Sequence, residues 1–126
     1  STDDYGMEKA YCCIHSNARD FAKLGQLFLN DGTAGDRQIL NADFIEQMRT
    51  PTEKSENIYG MGLWINHDNP IKHYYFLGMQ GQYIIMVPEY NMVIVKTGSY
   101  TTNPKNDRGR PDQVKFFVNE IVSLFQ

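Results

Sequence analysis

The sequence predicts an α+β fold in which helices pack on an antiparallel sheet. Apolar residues recur at helical spacing near the start and the end of the chain. Between these segments, over residues 58–98, the hydrophobic pattern changes from a period of 3.6 to a period of 2. The turn between the last two predicted strands is short, which favours an antiparallel hairpin. The order of helix, helix, four strands and helix is typical of the α+β class.

The first helix is predicted to begin at Ser16, whose side chain can cap it, with the carboxylate of Asp20 in its first turn. Asn30-Asp31-Gly32 ends the pattern. The apolar positions of this helix are Phe21, Leu24, Leu27 and Phe28.

A second helix is predicted after Asn41 or Asp43, either of which can serve as the cap. Pro51 ends this helix, because proline disfavours helical geometry in the residue before it. Residues 52–57 form a polar connector. The apolar positions of the second helix are Phe44, Ile45 and Met48.

Four strands are predicted from the alternating and β-branched segments, at residues 59–65, 73–77, 82–87 and 92–97. The turn Pro88-Glu89-Tyr90-Asn91 separates the last two. A polar loop follows at residues 101–111.

The last helix has the clearest amphipathic pattern in the chain. Asp112 is predicted to cap it, and its apolar stripe is predicted to cover one face of the sheet. The sequence therefore divides into a helical part (residues 1–52), antiparallel strands (58–98) and a closing helix (112–126) within one region, residues 1–126. The stripe consists of Val114, Phe117, Val118, Ile121, Val122 and Phe125.

The composition excludes several classes of protein. Twelve Lys and Arg residues against 15 Asp and Glu give a net charge of -3, which argues against nucleic-acid binding. The apolar runs are too short to span a membrane. Cys12 and Cys13 are adjacent, so a disulfide framework is not expected. The polar start, Ser1-Thr2-Asp3-Asp4, carries no initiator methionine and suggests a processed product or a piece of a longer protein.

Common catalytic and cofactor motifs are missing from the sequence. The three histidines share no metal-ligand spacing, so neither a metal nor a cofactor is expected. Gly60-Met61-Gly62 lies inside a strand pattern and lacks the third glycine of a phosphate-binding loop. No Gly-x-Ser-x-Gly or Ser-x-x-Lys sequence occurs, so no covalent catalyst is visible in this chain.

Residues 77–83 contain two glycines inside an otherwise β-branched and aromatic region. Each glycine weakens a strand by roughly 0.5–1 kcal/mol relative to alanine, so a compensating reason is expected. One explanation is an ordinary tight turn between strands. The other is that Gly78 to Gly81 leave a backbone N–H pointing outward, where it can bind an anionic oxygen.

Several segments together resemble the C-terminal third of the β-lactamase and penicillin-binding-protein-like serine hydrolases. The similarity is to the class C β-lactamase-related branch, which includes 6-aminohexanoate-dimer hydrolase and related esterases. The segments are residues 11–26, Tyr59-Gly60-Met61-Gly62-Leu63-Trp64, Gly78-Met79-Gln80-Gly81-Gln82, Val87-Pro88-Glu89 and Val93-Ile94-Val95.

The resemblance implies acyl transfer to a serine of a Ser-x-x-Lys motif, with a lysine and a tyrosine managing the protons and no cofactor. The resemblance also implies that the Met79 backbone N–H is one of two oxyanion donors, with Gly78 permitting the geometry. Gly78, Gln80 and Gly81 would bind a small-molecule or peptide-like acyl substrate. The resemblance favours the bacterial cell envelope or periplasm, although some members of the family are cytoplasmic, so the compartment stays open.

The sequence departs from the family pattern in two ways. Lys96-Thr97-Gly98 spells a β-lactamase motif, but no strand pattern follows it, so it is predicted to end the last strand. The position that matches the motif lies near residues 73–75, where no lysine occurs, and this favours amidase, esterase or peptidase activity over β-lactamase activity.

The catalytic serine, lysine and tyrosine of the family are also missing. We therefore expect a C-terminal piece of a longer hydrolase that is inactive alone and that can self-associate through exposed sheet edges. Two alternatives remain open, a non-catalytic binding module with the same architecture and a separate small domain whose similarity is accidental.

Overall fold

The structure is a computed structural model that describes residues 2–9, 14–98 and 112–126. Its elements confirm the α+β class. The predicted loop at residues 101–111, together with Cys12 and Cys13, lies outside the described residues. In chain order the elements are α1 (Ala18–Leu29), β1 (Thr33–Ala34), β2 (Arg37–Gln38), α2 (Ala42–Arg49), β3 (Trp64–Asn66), β4 (His73–Gly78), β5 (Gln82–Val87), β6 (Met92–Lys96) and α3 (Asp112–Ser123), with short 3-10 helices at Glu53–Ser55 and Pro88–Tyr90.

Helix α1 is capped by Asn17, one residue later than predicted. The Asn17 side-chain oxygen accepts a hydrogen bond from the backbone N–H of Asp20 at 3.0 Å. Ser16 and Asn17 are both good capping residues, and only the backbone path decides between them. At the other end, the backbone N–H of Asn30 donates to the carbonyl of Gln26.

Helix α2 resolves the choice between two possible caps in favour of Asn41. Its side-chain oxygen accepts from the backbone N–H of Phe44 at 3.2 Å, and Asp43 lies inside the first turn. The helix ends at Arg49. Thr50 is extended, with ψ 117, as expected for the residue before Pro51.

The hairpin of β1 and β2 was not predicted from the sequence. Its strands are two residues long, with Thr33 opposite Gln38 and Ala34 opposite Arg37. Segments this short cannot show a period-2 pattern, so the signal on which the strand predictions depended is missing here.

The main sheet is antiparallel throughout, in the order β3-β4-β5-β6. The prediction of a strand at residues 59–65 is corrected: the strand is Trp64–Asn66, and Tyr59 makes only an isolated bridge to Trp64. Gly62 has φ 85 and the Gly60 N–H donates to the Leu63 carbonyl, so the chain folds back between them. In the described part of the chain β3 and β6 are the edge strands, and self-association through such an edge stays a prediction.

The sheet lies between two helical layers, because alternate residues of its strands point to opposite faces. Helix α3 covers one face, as predicted, although Asp112 is its first residue and Phe125 is exposed. Helices α1 and α2 cover the other face. The buried core on the α3 side is Tyr75, Tyr83, Ile85, Val87, Ile94, Val114, Val118 and Val122, and the core on the other side is Phe28, Ile45, Leu63, Ile65, Tyr74 and Met86.

Candidate functional site

The segment that contains the predicted site residues is the tight turn between β4 and β5. Gly78 is opposite Gln82 in the last pair of the ladder, and residues 79–81 form the turn. Gln80 adopts the left-handed conformation with φ 62. The Met79 side chain is 85% exposed. The turn therefore presents its first residue to solvent at one end of the main sheet.

Glycine is favoured at positions 78 and 81 of this turn for different structural reasons. Gly81 is buried and has φ 83, a conformation that side-chain-bearing residues rarely adopt. At Gly78 space favours glycine, because a Cβ atom there would lie 3.0 Å from the Cβ of Gln82 and 3.3 Å from its carbonyl oxygen, which is tighter than most Cβ contacts. The tight-turn explanation thus accounts for both glycines, whether or not the Met79 amide also binds a ligand.

The half of β4 that leads into the turn pairs with only one strand among the described residues. Strand β3 pairs only with His73, Tyr74 and Tyr75. Residues 76–78 pair with β5 on one side, and no described strand pairs with them on the other. An extended backbone edge therefore lies next to the turn, and a substrate could bind along it as an added strand.

Lys96 connects the end of β6 to the turn. The prediction that Lys96-Thr97-Gly98 ends the last strand is confirmed, because β6 stops at Lys96. The Lys96 ammonium donates a hydrogen bond to the Gly81 carbonyl at 2.8 Å. Its Nζ also lies 5.8 Å from the ring centroid of Tyr83, the residue opposite Lys96 in the ladder. No sequence pattern predicts this contact.

The start of β4, where the resemblance would place the family lysine, carries a buried histidine. His73 is 2% exposed, and its Nδ1 lies 2.8 Å from the Ile71 carbonyl oxygen. That oxygen can only accept, so we assign the ring proton to Nδ1. Nε2 then accepts from the Asn66 side-chain amide at 3.2 Å. This pair fixes the connection between β3 and β4 and is not positioned to reach the turn at the other end of β4.

A cavity of about 220 Å³ lies beside this pair, between α2 and the strands β3 and β4. Arg49 in its wall forms an ion pair with Asp31 at 2.9 Å and a second one with Glu46. Burial lowers the pKa of Arg49, but its hydrogen bonds and these carboxylates outweigh burial, so the net pKa is raised. The lining includes Glu46, Arg49, Asn66, His67, Lys72 and Tyr74.

Within residues 2–9, 14–98 and 112–126 no group of three or more His, Cys, Asp or Glu side chains could hold a metal ion. In the same part of the chain no helix combines the length and the apolar character needed to cross a membrane.

Comparison with known proteins supports the resemblance at the level of the fold. No protein-family profile and no curated protein matches this chain. Several solved structures do match, and one of them, described as a "putative 6-aminohexanoate-dimer hydrolase from Bacillus anthracis", has a TM-score of 0.73 and 27% identity. The match covers 98% of this chain and 32% of the other, so this chain spans about a third of the length of that hydrolase. The chain is therefore similar to a hydrolase with a β-lactamase-like fold.

Proposed function

We propose that this sequence is the C-terminal part of a β-lactamase-like serine hydrolase that cleaves amide or ester bonds through an acyl-enzyme. In this proposal the Met79 backbone N–H is one of the two donors of the oxyanion hole. The observation that carries the proposal is the exposed turn at the end of β4, beside an edge with which no described strand pairs, in a chain similar to one third of a hydrolase.

The proposed chemistry requires the turn to hold the Met79 N–H in a fixed direction. When a serine attacks the acyl carbonyl, negative charge develops on the carbonyl oxygen. A backbone N–H that is already oriented stabilises this charge without reorganising, and removing one such donor costs roughly 2.7–4 kcal/mol in the transition state. The ladder pair of Gly78 and Gln82 fixes where the turn begins and ends. Gly78, Gln80 and Gly81 would contact the substrate next to the reacting carbonyl.

The proposal assigns the nucleophile and the proton-transferring groups to another part of the protein. This sequence contains no Ser-x-x-Lys, and about two thirds of the matched hydrolase has no counterpart in it. The serine, lysine and tyrosine would lie upstream of residue 1, and the 126-residue chain alone would be inactive.

The start of β4 favours an amide or ester substrate over a β-lactam. In the resemblance, carboxylate recognition depends on a lysine near residues 73–75. Here the positions are occupied by His73, Tyr74 and Tyr75, which are all buried. His73 is already hydrogen-bonded to Ile71 and Asn66, so it does not replace the lysine as an exposed cation.

The test uses the protein encoded by the complete reading frame that contains this sequence. A fluorophosphonate probe is expected to label a serine in that protein. Met79→Pro removes the proposed N–H donor, and its kcat is expected to fall by about 10²–10³-fold. Met79→Ala is the matched control, because it keeps the N–H and removes an exposed side chain, and its kcat should stay within about twofold of wild type.

Three outcomes would contradict parts of this proposal. Folded Met79→Pro protein with wild-type kcat would show that this amide is not an oxyanion donor. A complete protein that neither reacts with the probe nor contains an upstream Ser-x-x-Lys would support the non-catalytic module. Probe labelling of the isolated 126-residue chain would contradict the placement of the nucleophile upstream.

A further inference from the structure

Lys96 contacts the turn between β4 and β5 from the end of strand β6. It is the last residue of β6 and lies opposite Tyr83, the second residue of β5. From this position its side chain runs beside the Tyr83 ring and ends with the ammonium 2.8 Å from the Gly81 carbonyl oxygen. The residue is half-buried, and its charged end makes this contact.

The contacted carbonyl lies at the point where the turn enters β5. Gln80 and Gly81 both have positive φ, and Gln80 pays a steric cost there that glycine would not. A turn that contains glycine can adopt several backbone conformations. A charge-assisted hydrogen bond to one of its carbonyls selects the conformation in which that carbonyl points toward the lysine. Because this carbonyl belongs to the last residue of the turn, the hydrogen bond restricts the backbone conformations open to residues 79–81.

We propose that Lys96 is a positioning residue for the oxyanion turn: its ammonium keeps residues 79–81 in the conformation that aims the Met79 amide at the acyl carbonyl. This inference rests on the proposed function. In this role Lys96 of the Lys96-Thr97-Gly98 triplet acts on the backbone of the turn, which its ammonium contacts at Gly81.

The test compares three variants in the complete protein. Lys96→Met keeps the stem and removes the ammonium, and Lys96→Arg keeps a cationic donor. Lys54→Met removes an exposed lysine from the 3-10 helix Glu53–Ser55 and serves as the control. The measurements are kcat, KM, the rate of fluorophosphonate labelling and the thermal midpoint.

We expect Lys96→Met to lower kcat and the labelling rate by between about tenfold and a hundredfold, with KM within about twofold of wild type. Lys96→Arg should recover most of the lost kcat, and Lys54→Met should match wild type. A purely structural role would lower the thermal midpoint without this split between kcat and KM. Lys96→Met with wild-type kcat would overturn the inference.

A second pair keeps the inference testable if Lys96→Met does not fold. Lys96→Gln keeps a shorter, neutral donor, and its kcat should then be low while that of Lys96→Arg is near wild type. Equal kcat in these two variants and wild type would refute the inference. Failure of the inference is distinguishable from failure of the proposed function. If the proposed function is wrong, the probe does not label the wild-type protein and Met79→Pro does not lower kcat.

Discussion

Gly25 of α1 lies directly against Val93 of β6, and a Cβ atom on Gly25 would be 2.5 Å from Cγ1 of Val93. The same atom would lie 3.0 Å from Cγ2 of Ile84. A glycine inside a helix costs roughly 1 kcal/mol relative to alanine. At this position the cost is offset by the close approach of α1 to the sheet, which closes the core between that helix and strands β5 and β6.

Replacing Gly25 with alanine is therefore expected to destabilise the protein despite the better helix propensity of alanine. Overpacking costs about 1–3 kcal/mol, and Val93 cannot move its methyl groups away easily, because a β-branched side chain has few rotamers. Chemical denaturation should show a lower free energy of unfolding for Gly25→Ala.

The double variant Gly25→Ala/Val93→Ala is the control for this prediction. Removing the two methyl groups of Val93 makes room for the new Cβ, so the double variant should be more stable than the sum of the two single changes predicts. Strict additivity of the two changes would contradict the contact.

Because of the buried phenol of Tyr74, we expect the stability of the protein to depend on pH in the alkaline range. Burial raises the pKa of Tyr74, and the nearby Arg49 opposes this only in part. A folded-state pKa above the unfolded value of about 10 means that the neutral phenol favours the folded state. This contribution is fully present below pH 10 and is lost as the pH rises through the folded-state pKa.

Comparing wild type with Tyr74→Phe isolates this effect from the other tyrosines and the lysines. The free energy of unfolding of wild type should fall more steeply above pH 10 than that of Tyr74→Phe, which has no phenol to ionise. The long contact from the Tyr74 hydroxyl to the Phe28 carbonyl, 3.5 Å, is also lost, and a measurement at pH 8 corrects for it. Parallel curves for the two proteins above pH 10 would contradict the prediction.

The elements that could be predicted from the sequence are those with a long enough run or periodic pattern of apolar residues. The predicted bounds of strand β5 agree with the observed bounds, Gln82–Val87, because a run of β-branched and aromatic residues lies between two turn segments. The hairpin of β1 and β2 has no such run. The predicted strand at residues 59–65 begins before the observed one, Trp64–Asn66. Its aromatic and aliphatic residues are divided by Gly62, whose positive φ is not visible in the sequence.

Only part of the candidate site could be predicted from the sequence. The turn at Gly78 to Gly81 could be located because two glycines interrupt a strand pattern. The contact of Lys96 with Gly81 could not be predicted, because it joins residues 15 positions apart and depends on the register that places Lys96 opposite Tyr83. A shift of that register by one residue would turn the lysine to the other face of the sheet.

The backbone of the turn gives the last prediction, which concerns Gly81. Its φ of 83 lies in the left-handed region, where an L-residue with a Cβ is disfavoured by roughly 1–2 kcal/mol. Gly81→Ala should therefore lower the free energy of unfolding by about this amount. Gly81→Asn should cost less, although asparagine is larger, because its side chain can form local hydrogen bonds in this conformation. Thermal or chemical unfolding of both variants measures the difference, and an asparagine variant that is less stable than the alanine variant would show that space around this buried residue, not its backbone conformation, requires the glycine.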